Sequence, residues 1–115
     1  MNRKDRRNRV KEIKKMLVAQ GYDKKERQSL IERYEGKYAN PFKEGQSVKI
    51  NYDAWAEHHN IDRINPKLIE WLNIHKDETF TVEYEQPYSN RGYICLAEDT
   101  SQPKWLWSVD DIVSA

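Results

Sequence analysis

Polar and apolar residues alternate one for one between residues 79 and 85. Phe80, Val82 and Tyr84 fall on one side, and Thr79, Thr81, Glu83 and Glu85 on the other. A period of two predicts a half-buried strand, because successive side chains leave a strand on opposite faces. Turn formers follow over residues 86–92 (Pro87, Ser89, Asn90, Gly92), then a short apolar run, Tyr93-Ile94-Cys95-Leu96. A polar break at 98–103 leads to Lys104-Trp105-Leu106-Trp107, and residues 108–113 read as one helical turn followed by a last half-strand. Short strands joined by turns make a meander, which must curl or pack on another layer to bury its apolar face. Upstream, Gly45 opens Val48-Lys49-Ile50-Asn51-Tyr52, a further alternating strand. The insertion at 53–77 between them carries a short helix over about 65–75, cued by Asn65 as cap and Pro66 at the first position. Leu68, Ile69 and Leu72 face inward from that helix, with Trp71 at its side.

The first third of the chain has the other period. Val10, Ile13 and Leu17 stand at i, i+3 and i+7, which predicts a helix over 3–20 ending at Gly21. Asp23 and Glu26 form a capping pair for a second helix that runs through Leu30, Ile31 and Tyr34 and stops near Gly36. The two helices make either a plain hairpin or the first two-thirds of a helix-turn-helix, with Lys24, Lys25, Arg27 and Gln28 opening the reading helix. Asn40-Pro41-Phe42 marks a boundary, since the residue before proline is pushed away from helix. The pattern thus divides into a helical arm at 1–38 and a β-rich unit at 42–115, with Phe42 stapling the link. The fold class is α+β.

Charge changes the picture more than composition does. The net charge of +1 over 115 residues hides a split: residues 1–35 carry 12 Lys/Arg against 6 Asp/Glu, and residues 36–115 carry 8 against 13. On the first helix Arg3, Arg7, Lys11 and Lys15 repeat every fourth residue, with Arg6 and Lys14 close by. Like charges at that spacing destabilise an isolated helix by a few tenths of a kcal/mol per pair, roughly. Cations in the first turn also oppose the helix dipole. A helix written against its own electrostatics predicts a negative partner, so Arg3, Arg6, Arg7, Lys11, Lys14 and Lys15 are the candidate residues for a nucleic acid or an acidic protein.

Composition excludes little else. Four Trp, seven Tyr and two Phe, concentrated after residue 50, argue for a real core in the second half. A lone cysteine, Cys95, excludes an internal disulfide, and its apolar setting predicts a buried thiol. No apolar run has the length of a membrane span, and no signal-peptide core follows the basic N-terminus, so the expectation is a cytoplasmic protein without a membrane partner. His58, His59 and His75 match no zinc spacing with Cys95, and the four glycines make no phosphate loop. The expectation is therefore no enzyme, no cofactor and no metal.

The Gly45-x-x-Val48-Lys49-Ile50 strand, the long first loop, the three meander strands and the closing Val109-Asp110-Asp111-Ile112-Val113 resemble an SH3-like small barrel. The likeness is to the KOW-type barrels of small proteins from bacteriophages and mobile elements of Gram-positive bacteria, and covers residues 42–115. It implies a module that binds protein or nucleic acid without chemistry of its own. Tyr52, Trp55, Tyr84, Tyr88, Trp105 and Trp107 are the candidate protein-binding patch, with Trp105 and Trp107 on one strand face and Leu106 on the other. The helical hairpin either covers those tryptophans or leaves them for a partner. Two functions follow. One is a phage or mobile-element adaptor or inhibitor acting on a host or phage protein. The other is a nucleic-acid-associated regulator using the basic helix.

Overall fold

Helix signals at the N-terminus are met almost residue for residue. In a computed structural model, which describes residues 3–115, the chain begins with α1 (Arg3–Ala19) and α2 (Lys24–Glu35). Asp23 caps α2 by accepting from the Glu26 amide at 2.8 Å, and Gly36 ends it in the left-handed conformation at φ 72°. That conformation costs an L-residue about 1–2 kcal/mol and glycine almost nothing. Leu17 and Ile31 are the buried residues of this hairpin and stand apart from the main core. The chain then leaves for the sheet, so no third helix follows to complete a helix-turn-helix, and the plain hairpin holds.

Five strands form one antiparallel sheet: β1 (Ser47–Ile50), β2 (Thr79–Glu83), β3 (Tyr93–Leu96), β4 (Trp107–Ser108) and β5 (Ile112–Ser114), in the order β4-β3-β2-β1-β5. A 3-10 turn, Val109–Asp111, joins the two edge strands. The sheet is not closed into a barrel. Its registers put Val48 opposite Phe80, Ile50 opposite Ile112, Val82 opposite Leu96 and Ile94 opposite Trp107. All eight are buried and belong to one apolar cluster, because the period-2 pattern sends them to the same face.

Two helices from the insertion supply that cluster with further side chains. The Asn65–Pro66 cue is met by α4 (Pro66–His75), which contributes Leu72 to the core and packs Trp71 against it. An earlier helix, α3 (Tyr52–His58), contributes Trp55. The first strand is shorter than its alternation predicts. Asn51 leaves β1 and caps α3 by accepting from the Ala54 amide at 3.2 Å, so Tyr52 opens a helix instead of closing a strand. The run 104–107 is likewise shorter as a strand than its pattern implies. The buried carboxylate of Asp99 takes the amides of Ser101 and Trp105, both at 2.9 Å, and removes the Trp105 donor from the ladder.

Candidate nucleic-acid interface

The inner face of α1 changes chemistry along its length. Leu17, Val10 and Arg3 are spaced by seven residues, as are Ile13 and Arg6, and Lys14 and Arg7. Side chains seven apart lie on nearly the same side of a helix. The side that packs on α2 at its C-terminal end therefore becomes cationic toward the N-terminus. α1 has 17 residues and α2 only 12, so at about 1.5 Å per residue α1 is longer by about 7 Å.

The cationic side lines a cleft of about 900 Å³. α1 gives Arg3, Arg6, Arg7, Val10, Lys11 and Lys14, and the end of α2 with the residues after it gives Tyr34, Glu35 and Lys37. Arg91, from the 3-10 turn Tyr88–Arg91, completes the lining. Seven cations thus meet one carboxylate, and Glu35 is already paired with Lys37 at 3.4 Å. Among the described residues the ion pairs are Arg33–Asp110, Lys37–Glu35, His58–Asp111, His75–Glu78 and Lys104–Glu83, so no α1 cation takes part in one. Five of the six sequence candidates share the cleft. Lys15 is exposed on α1 and does not line it.

The second wall is held by Arg33. Its guanidinium makes paired bonds to both Asp110 oxygens, at 2.9 and 3.0 Å, and lies over the Tyr38 ring at 4.6 Å. The Tyr38 amide donates to Asn90 O at 2.9 Å, and Asn40 donates to Ser89 O at 3.1 Å, which ties the segment after α2 to the turn carrying Arg91. Burial opposes the Arg33 charge, but the bonds to Asp110 and Tyr38 outweigh it and raise its pKa. The Arg33 bond is also the chief reason Asp110 sits below the ordinary carboxylate value. Gly92 leaves the room: a Cβ there would come within 2.9 Å of Arg33 Nε, at a backbone φ of 87° that side-chain-bearing residues avoid.

The aromatic candidates do not make one exposed patch. Trp55 and Trp107 are core residues, 3% and 2% exposed. Tyr52, Tyr84 and Trp105 are half-buried against the same core, and Tyr84 donates its hydroxyl to Phe42 O. Tyr88 alone is exposed. The cover over Trp107 is neither the hairpin nor solvent but α4, whose Trp71 ring lies 5.9 Å from it. The same-face reading of Trp105 and Trp107 agrees with the burial, since Leu106 between them is 40% exposed.

Cys95 and the three histidines are individually satisfied. Burial first, and then the Glu85 bond, push the Cys95 thiol up to about 12, so it is an inert core group. Each histidine has its own partner: His58 with Asp111 at 2.6 Å, His59 with Trp55 O at 2.8 Å and His75 with Glu78 at 2.7 Å. Among the described residues no three His, Cys, Asp or Glu gather as a metal site, and no helix is long and apolar enough to cross a membrane. The bond to Asp111 raises the His58 pKa and outweighs the opposing effect of desolvation. A raised pKa stabilises the fold fully below the unfolded value, about 6.5, and the contribution fades as pH rises through the folded value. The melting-temperature gap between wild type and His58→Asn should therefore be widest at mildly acid pH and narrow toward pH 8. A gap that widens with pH contradicts this. Asp110 runs the other way: its lowered pKa gives stability that is fully present above the unfolded value, 3.8, and is lost as pH falls through the folded one.

Comparison with protein-family models, with curated proteins and with solved structures finds no match.

Proposed function

We propose that the chain is a non-catalytic module that holds a nucleic acid by its phosphates in the cleft between α1 and the α2 end. One observation carries this reading: seven cations line a single concavity against one carboxylate that Lys37 already engages. Each cation that meets a phosphate releases a condensed counterion, which makes such binding favourable and salt-dependent. The cations stand where a self-contained hairpin would continue its apolar seam, so fold stability does not account for them. An adaptor would draw either on the acidic 36–115 half as a polyanion mimic or on aromatic anchors, and of the anchors Trp55 and Trp107 are spent on the core. Under the same proposal residues 42–115 are an SH3-like small barrel in opened form that serves as the mount. The order β4-β3-β2-β1-β5 with a 3-10 turn before β5 supports that kinship.

A salt titration tests the proposal. At about −0.7 to −0.9 per phosphate contacted, seven contacts give a log-log slope of about −5 to −6, and affinity drops about a thousandfold or more between roughly 50 and 200 mM salt. No binding at low salt, or a slope shallower than about −2, rejects the reading.

A further inference from the structure

The duplex major groove accepts a helix that presents its reading face outward. Here the cations Arg3, Arg6, Arg7 and Lys11 share a concavity with a second wall, formed by Tyr34, Lys37 and Arg91. A cleft of about 900 Å³ is too small to admit a duplex between its two walls. A single strand fits, since it is a thin ribbon with phosphates along one edge and bases free to turn to either side. Tyr34 adds the second component that a single-strand site needs. It is the one aromatic residue lining the cleft, it is 42% exposed, and its ring enters none of the aromatic or cation contacts made elsewhere among the described residues. Aromatic stacking tolerates any base, so such a site binds without sequence preference.

Resting on the nucleic-acid reading above, we infer that the ligand of the cleft is a single-stranded nucleic acid, with Tyr34 as the stacking platform for a base and the α1 cations and Arg91 as the phosphate contacts. Arg91 also offers a planar guanidinium on which a second base can lie.

The test uses the full chain and fluorescence anisotropy at low salt, with labelled mixed-sequence oligonucleotides: single-stranded DNA, single-stranded RNA and a DNA duplex. Wild type should bind either single strand at least about tenfold more tightly than the duplex. Tyr34→Ala should lose about five- to hundredfold in single-strand affinity, as expected for one lost stacking contact, with the salt slope unchanged. Tyr34→Phe keeps the ring and should bind as wild type does, which separates stacking from a folding defect. The two single strands distinguish DNA from RNA as the ligand, and a preference for either supports the inference. Equal binding of duplex and single strand, or a Tyr34→Ala variant that binds as wild type, overturns it while a steep salt slope leaves the wider reading standing. Failure of every oligonucleotide to bind overturns both. Polyglutamate that competes as well as a single strand also overturns it, in favour of an acidic protein.

Discussion

Trp107→Ala should lower the free energy of unfolding by about 3–5 kcal/mol, the cost of deleting a buried aromatic side chain and leaving a cavity. The indole is 2% exposed and meets Trp71 from α4 at 5.9 Å, while its neighbour across the ladder is Ile94. A void there loosens the strand edge and the insertion helix together, because both rest on the same ring. A domain of ordinary stability holds only about 5–15 kcal/mol in all, so the variant should melt far earlier in urea. Trp107→Phe is the informative companion. Among the described residues the buried indole N–H has no hydrogen-bond partner, a condition that costs about 1–3 kcal/mol. Phenylalanine removes that orphan donor while keeping most of the ring, so its loss should be much smaller than that of alanine. Equal losses for the two variants would mean that the ring's apolar packing is not what Trp107 contributes.

Replacing Arg3, Arg6, Arg7 and Lys11 together by glutamine should have the opposite profile. Four phosphate contacts removed should flatten the salt slope by about 3 and weaken binding on the order of a hundredfold or more at moderate salt. The fold should be unharmed or slightly steadier. Like charges four apart no longer repel on α1, and the first turn, which keeps only Lys4 as a cation, opposes the helix dipole less. None of the four takes part in an ion pair among the described residues. Melting temperature and affinity, measured on the same preparation, separate the two effects. A variant that loses stability in proportion to affinity would place these cations in the fold and not in the site.

Local rules were sufficient for much of this protein. The capping pair Asp23/Glu26, the left-handed Gly36 and the Asn65–Pro66 helix start act within a few residues, so their signals stand in the sequence unaltered. The alternation at 79–83 determined which face of β2 is core, because a strand has only two faces. The spacing of cations on α1 was equally legible, since one helix carries them all. Tertiary structure decided the rest. Whether a tryptophan is an anchor or a core residue depends on what lies across from it, and α4 reaches Trp107 from 36 residues upstream at Trp71. The second wall of the cleft had no sequence signal. Lys37, Arg91 and Tyr34 come together with α1 only because Arg33, Asp110 and Gly92 lock the end of α2 against the sheet, and no local pattern spans that separation. The edge strands β4 and β5 are joined by the 3-10 turn Val109–Asp111 yet pair only with β3 and β1, and which strands meet is set by the path of the whole chain, not by a local pattern.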